Sequence, residues 1–187
     1  MSFLRLLALV ASLTSSSYFA FGNLACEYMG IMPAIARKQT ALPPVDRLAL
    51  WLFAFHVGKY HLGISGVFSA LALSGAAYLT PGALERKTLI AGALAAFTSA
   101  AYSGFVMTPV NTDLIARERA SIVKPMEPKE EEHVLKQLDK WRSLHRVRIA
   151  LGFVAWMASV AALLASEAMI QWASIIICPH IRFNLPP

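Results

Sequence analysis

Residues 147–169 read VRIALGFVAWMASVAALLASEAM, and this stretch decides the fold class. Apart from Arg148 and Glu167 near its two ends, it carries no charged side chain. About 20 predominantly apolar residues are enough to cross the roughly 30 Å hydrocarbon core of a bilayer as an α-helix. The stretch therefore predicts a membrane-spanning helix.

Three further apolar stretches precede it, and the composition of the chain agrees with lipid surroundings. Hydrophobic residues make up 57% of the sequence and charged residues 15%, whereas soluble domains carry roughly a quarter charged residues. Small residues recur in these stretches, as in GISGVFSALALSGAA at 63–77, and they let helices approach closely in lipid. We expect an all-α integral membrane four-helix bundle, forming one domain over residues 1–187. The expected spans are 3–22, 62–79, 88–107 and 147–169.

The first stretch has an alternative interpretation as a cleaved signal peptide. Arg5 followed by LLALVASL resembles the basic and apolar parts of such a signal. However, the apolar character continues through Tyr18, Phe19 and Phe21 instead of ending at a small-residue cleavage site. We therefore expect the first stretch to be retained as a helix.

The segments between the spans carry the polar residues. Apolar residues 48–60 precede the second span, and we expect them to lie near the interface or to dip into the bundle. Pro109 follows the third span and predicts a kink or a stop there. The polar segment 111–146 contains KPMEP at 124–128, after which helical spacing predicts a helix from Lys129 that continues into the fourth span.

The distribution of basic residues predicts an orientation. Loops 23–47 and 111–146, with the adjoining Arg148, hold most of the lysines and arginines, whereas the opposite side of the bundle is expected to hold Arg5, Arg86, Lys87 and Arg182. By the positive-inside rule both loops are expected to be cytoplasmic and both termini, with the tail at 172–187, on the opposite side. Because the basic residues lie between apolar blocks, the net charge of +6 does not indicate a nucleic-acid partner.

Polar residues cluster at the ends of the spans that antiparallel threading brings together. Ionisable groups near a membrane are costly, so they suggest a functional site. We expect these groups to converge at one cytoplasmic mouth of the bundle. They are Asn23, Glu27, His56, Lys59, His61, Asn111, Asp113, Trp141, His145 and Arg148.

Trp141, His145 and Arg148 share one helix face because their spacings are four and three residues. Together they can stack on a planar ring, exchange a proton near neutral pH and stabilise an oxyanion. Taken singly, the tryptophan could be an interfacial belt residue and the arginine could reach to lipid headgroups. Cys26 and Cys178 form neither a disulfide framework nor a zinc pattern, so no metal site is expected.

Two motifs carry a family resemblance: MTPVNTDLIAR at 107–117 and WRSLHRVR at 141–148. With GNLACEYMGIMPAI at 22–35 and HVGKYHLG at 56–63, they resemble the membrane-bound anthrone oxygenase family, which includes noranthrone monooxygenases of fungal polyketide pathways. The matching positions are Pro109, Asn111, Leu114, Trp141, His145 and Arg148. The resemblance covers roughly residues 3–164, and the tail QWASIIICPHIRFNLPP matches nothing in it.

The resemblance implies an enzyme of secondary metabolism that converts a polyketide anthrone to an anthraquinone. Molecular oxygen would be the co-substrate and no cofactor would be needed. Expected partners are the aromatic polyketide, the lipid bilayer and other enzymes of the polyketide pathway. The residues expected to be catalytic are His145, Arg148, Asn111 and His61, the last as a substitute base. The residues expected to bind the substrate are Trp141, His56, Tyr60 and Asn23.

Other functions remain open at this point. A non-enzymatic four-span membrane scaffold or assembly protein would use the polar mouth to bind a partner. A transporter needs polar residues along the membrane depth, and Thr98, Ser99 and Ser103 are few and mild. A haem or quinone electron carrier could use His56, His61 and His145 as ligands, although such ligands usually face each other deeper in a bundle.

Overall fold

The computed structural model describes residues 2–36 and 41–166, and their regular structure is entirely helical, which confirms the fold class. Arg37, Lys38, Cys178, His180 and the tail at 172–187 lie outside the described residues. Four helical segments are long and apolar enough to cross a membrane. The helices are α1 (Phe3–Tyr28), α2 (Ile31–Ile35), α3 (Pro44–Leu79), α4 (Ala83–Tyr102), α5 (Thr108–Val123) and α6 (Pro128–Leu164). Between α4 and α5 lies a π-helical turn, Ser103–Met107, here called the π segment.

The long helices form a ring in which α1 packs against α3 and α6, and α4 packs against the same two helices. An ion pair between Arg5 and Glu85 joins the beginnings of α1 and α4, so these two helices run in the same direction. The short connection at Thr80–Gly82 makes α3 antiparallel to α4. The observed threading brings the end of α1 close to the middle of α6, where Glu27 pairs with Arg142 and Arg146.

The helix around Pro109 does not stop, and the stop allowed by the sequence analysis is wrong. The π segment ends at Met107 and α5 begins at Thr108, so the proline occupies the first turn of α5, where a missing N–H costs nothing. The Thr108 hydroxyl donates to the carbonyl of Gly104 at 2.6 Å, which satisfies an acceptor at the junction. The chain thus continues through the proline with one widened turn.

Two other segments with sequence-based predictions are residues 48–60 and the segment before the fourth span. Residues 48–60 belong to α3, which is continuous from Pro44 to Leu79 and is not divided into an interfacial piece and a span. The connection between α5 and α6 lies at the KPMEP sequence, and α6 runs unbroken from the polar segment to Leu164, as expected. A capping box fixes its first turn, because the backbone N–H of Glu127 donates to Glu130 Oε2 at 3.0 Å.

Apolar side chains form two separate cores, one toward each end of the bundle. The first lies near the α3–α4 connection and includes Leu9, Leu73 and Leu89. The second lies where α2, α3, α5 and α6 meet, and includes Trp51 and Leu114. The interval between the cores is not filled by side chains.

Glycines bring the helices together at the edge of this interval. The ring of Phe19 on α1 fits between Gly66 of α3 and Gly152 of α6, where a Cβ would meet the ring at 3.1 Å on either side. At Gly92 of α4, a Cβ would lie 2.5 Å from the Ala158 Cβ of α6. These close approaches fix the positions of the helices around the open interval.

Candidate active site

A cavity of about 820 Å³ occupies the interval between the two cores. Its volume is within the usual range for sites that bind small organic molecules. Its walls come from every helix of the chain and from the π segment. Seven of the ten residues expected at the polar mouth line it: Asn23, His56, Lys59, Asn111, Trp141, His145 and Arg148.

The imidazole of His145 is held between the indole of Trp141 and the backbone of α1. The two rings stack with their centroids 4.9 Å apart and their planes 13° from parallel. His145 Nε2 lies 3.4 Å from the carbonyl oxygen of Asn23, whereas Nδ1 is buried with no protein partner. Because a carbonyl only accepts hydrogen bonds, the contact favours a proton on Nε2. The lone pair of Nδ1 is then free to accept a proton.

Trp141 also fixes the carboxamide of Asn111. Its indole Nε1 donates to Asn111 Oδ1 at 2.8 Å across the interface between α6 and α5. Trp51 of α3 packs edge-on against the same indole, with centroids 6.0 Å apart and planes at 84°. The hydrogen bond uses the carboxamide oxygen, so the NH₂ group of Asn111 is the part able to donate to a ligand in the cavity.

Two cationic side chains line the cavity: Arg148, which is half-buried, and Lys59, which is exposed. Arg148 is the one held away from solvent. Its Nε is buried without a hydrogen-bond acceptor, and no carboxylate pairs with its guanidinium within residues 2–36 and 41–166. A desolvated cation without a partner is costly, so this position favours an anionic or electron-rich ligand group. Together with the Asn111 amide, it can stabilise negative charge that develops on a bound molecule.

The two neighbouring arginines of α6 have a different role. Arg142 Nε and Arg146 Nε donate to Glu27 Oε1 at 2.8 and 2.9 Å, and the Glu27 side chain is fully buried. These ion pairs tie the end of α1 to the middle of α6, next to His145. Neither the carboxylate nor the two guanidiniums line the cavity.

Several cavity residues were not identified from the sequence. Cys26 lies half-buried in the wall, and Phe19 and Ser99 also line it. The Glu27 ion pairs were likewise missed, although a signal existed: Asn23 and Glu27 are four residues apart on α1, as are Arg142 and Arg146 on α6. Such matched spacing on two helices predicts facing partners.

Two predicted site residues lie away from the cavity. Tyr60 and His61 are exposed and line no part of it, whereas His56 does line it. Each residue of a helix turns about 100°, so His61 points about 140° away from the direction of His56. His133 also lies outside the cavity, where its Nε2 contacts Asp113 Oδ2 at 2.8 Å.

Across residues 2–36 and 41–166, no group of three or more His, Cys, Asp or Glu side chains is arranged to hold a metal ion. The imidazole and thiol groups of the cavity wall, which are common metal ligands, belong to His56, His145 and Cys26. The polar side-chain groups of the cavity wall are two imidazoles, a guanidinium, an ammonium, two carboxamides, an indole N–H, a thiol and the hydroxyls of Ser99, Ser103, Thr108 and Thr112.

The comparisons with known proteins agree with the resemblance of the motifs. The family described as anthrone oxygenase matches residues 51–169, a region that runs from Trp51 on α3 past the end of α6. This region contains Asn111, Trp141, His145 and Arg148, whereas Asn23 precedes it. Curated proteins and solved structures give no significant match. Because the family match covers most of the chain, this protein belongs to the anthrone oxygenase family.

Proposed function

We propose that this protein oxidises the methylene group of a polyketide anthrone to the carbonyl of an anthraquinone, with molecular oxygen as the oxidant. Membership of the anthrone oxygenase family supports an oxygenase and does not favour the scaffold alternative. The observation that carries the specific reaction is the buried Nδ1 of His145, which has no hydrogen-bond partner. The His145 side chain lines the same cavity as Asn111 and Arg148. No resident cofactor is needed for this chemistry.

The first step is removal of a proton from C10 of the anthrone. This carbon is acidic because the resulting carbanion is delocalised into two aromatic rings and onto the carbonyl oxygen. His145 Nδ1 accepts the proton, and the negative charge that develops on the oxygen is stabilised by Arg148 and the Asn111 amide. The Trp141 indole, already stacked on His145, gives the flat substrate an aromatic neighbour in the cavity.

The remaining steps require only oxygen and the two hydrogens of C10. The electron-rich anthrolate transfers one electron to O₂, and the radical pair combines to form a C10–O bond. The peroxide takes the proton back from the His145 imidazolium. Loss of the second C10 hydrogen as a proton, with cleavage of the O–O bond, then gives the C10 carbonyl and one molecule of water. The CH₂ group and O₂ are thus converted to C=O and H₂O.

We propose further that the protein is a multi-pass membrane enzyme with loops 23–47 and 111–146 in the cytoplasm. The four long apolar helices support membrane insertion, and the excess of basic residues in the two loops supports the orientation. A flat, poorly soluble aromatic polyketide partitions into lipid, so a membrane site suits it. Association with other enzymes of the polyketide pathway would shorten the route of this unstable intermediate.

The experiment is a comparison of purified variants in lipid nanodiscs supplied with emodin anthrone. The rate is followed by anthraquinone absorbance and by oxygen uptake, after subtraction of the rate in protein-free nanodiscs. His145→Ala should lower kcat/KM by about 10²- to 10⁴-fold because the base is lost. Arg148→Met should lower kcat by about 10²-fold because charge stabilisation is lost.

His133→Ala is the matched control, since it removes an imidazole from the same helix outside the cavity. It should retain the rate of the unmodified protein. An unmodified protein that is no faster than protein-free nanodiscs contradicts the proposed function. A His145→Ala variant as fast as the unmodified protein removes His145 from the base role.

A further inference from the structure

The cavity is elongated along the bundle. On α3 its wall extends from Ala54 to Leu71, a rise of about 25 Å at 1.5 Å per residue. This length approaches the roughly 30 Å thickness of a hydrocarbon core. One end of the cavity is lined by His145, Arg148 and Asn111, near the ends of the spans. The other end is lined by Leu71 and Ser99, nearer the core beside the α3–α4 connection.

The deeper part of the α3 wall is also protein surface. Ile64, Phe68 and Leu71 line the cavity, yet they are 67%, 54% and 58% exposed. Side chains that line a cavity and are more than half exposed are the ones expected along an opening of that cavity to the outside. All three are apolar, so the medium that suits this opening is lipid.

The facing wall consists of small residues at regular spacing. Ala100 of α4, Gly104 of the π segment and Thr108 of α5 follow at intervals of four residues, and all three line the cavity and are exposed. The adjacent Phe105 is 82% exposed, so the outer surface here is apolar as well. No charged side chain belongs to this part of the wall.

Each of the two walls has a glycine with open space beside its backbone. A Cβ added at Gly63 of α3 or at Gly104 of the π segment would meet no atom within 4 Å. Both glycines line the cavity and both are exposed. They therefore mark the two sides of an opening, here called the lateral slot, bordered by Gly63 and Ile64 on one side and by Ala100, Gly104 and Thr108 on the other.

We propose that the lateral slot admits the anthrone to the cavity directly from the bilayer hydrocarbon and returns the anthraquinone to it. The proposal rests on the proposed function and membrane location. The two ends of the cavity then have different functions. The lipid-facing slot selects a flat apolar ring system, and the polar end orients the carbonyl oxygen of the substrate toward Arg148 and Asn111. Approach from lipid also keeps bulk water away from the anthrolate and the peroxide, which protects both from side reactions.

The test places a side chain in the slot without disturbing the bundle. Gly104→Leu and Gly63→Leu add bulk where the structure has open space. Gly75→Leu is the matched control, because Gly75 also lies on α3, is exposed and would meet nothing within 4 Å, but does not line the cavity. With anthrone supplied in vesicles, the slot variants should lose about tenfold in kcat/KM, the scale of misplaced methylene groups in an apolar site. The control should match the unmodified protein.

A second readout does not depend on catalysis. In a Cys178→Ser background, Cys26 in the cavity wall is the remaining thiol, since the sequence has 2 cysteines. Its alkylation by a lipid-soluble maleimide should be about tenfold slower in the slot variants, for the same steric reason. Its alkylation by a charged, membrane-impermeant maleimide through the polar end should be unchanged.

The two readouts separate the possible failures. Unchanged alkylation by the lipid-soluble reagent in both slot variants overturns the slot, whether or not the protein oxidises anthrones. Slower alkylation with an inactive unmodified protein supports the slot and contradicts the proposed function. If a lipid acyl chain permanently fills the opening, the lipid-soluble reagent fails to reach Cys26 even in the unmodified protein, and the proposal is wrong.

Discussion

At the scale of single residues, the proposed chemistry depends on how the His145 imidazole is held between the Trp141 indole and the Asn23 carbonyl. Trp141 and His145 are four residues apart, and the structure stacks their rings at 4.9 Å. The sequence could not show that His145 Nε2 meets the Asn23 carbonyl, because that contact depends on how α1 and α6 pack. His61 was expected in the site with His56 but does not line the cavity. The reason is simpler, because two residues five positions apart on a helix lie on different faces.

The hydrogen bond between Trp141 and Asn111 leads to a prediction at this scale. Trp141→Phe keeps an aromatic ring beside His145 but removes the donor that holds Asn111 Oδ1. Loss of one such bond is worth about 1 kcal/mol, so kcat/KM for anthrone should fall about fivefold. Steady-state rates of the purified variant measure the effect.

Trp51→Phe provides the comparison for that change. It removes the same atoms from a buried tryptophan whose Nε1 has no partner, so no hydrogen bond is lost. Any general effect of the smaller ring should therefore appear in both variants. Equal losses in the two would mean that the bond to Asn111 does not contribute to catalysis.

At the scale of helices, the apolar runs predicted which segments are helical, but neighbours decided where the helices continue. In the sequence, Pro109 predicts a kink or a stop. In the structure, a widened π turn places this proline in the first turn of α5. His56 and Lys59 read as a break in an apolar run, whereas in α3 they lie exposed on the cavity wall and leave the helix intact. These residues lie in or beside segments that line the cavity, and no local sequence pattern indicates that cavity.

The close approach of α4 to α6 leads to a prediction about stability. In Gly92→Ala the added Cβ would lie 2.5 Å from the Ala158 Cβ, so the two helices must separate. Overpacking of this kind costs about 1–3 kcal/mol, although alanine is the better helix former. Thermal unfolding in detergent should show a lower Tm.

The control for that variant is Gly75→Ala, where the added Cβ meets nothing within 4 Å. It gains helix propensity without a clash, so its Tm should equal or exceed that of the unmodified protein. A Gly92→Ala variant with an unchanged Tm would contradict the close contact between α4 and α6.

At the scale of the whole molecule, the sequence predicted the convergence of polar groups but not the space between them. Antiparallel threading follows from four spans joined by connections, and it brings Asn23, Asn111 and His145 to one cavity. The size of that cavity depends on the separation of the two apolar cores, which is set by close contacts such as those of Gly66 and Gly152 with Phe19. The Glu27 ion pairs then hold α1 against α6 beside the cavity.

The central claim is that this cavity holds the planar ring system against His145, Arg148 and Asn111. An experimental structure of the protein in nanodiscs with bound anthraquinone product tests it most directly. We expect the product in the 820 Å³ cavity, with one oxygen within hydrogen-bond reach of Arg148 or the Asn111 amide and the ring edge beside His145. Product bound elsewhere, with lipid or water filling the cavity, would contradict the account.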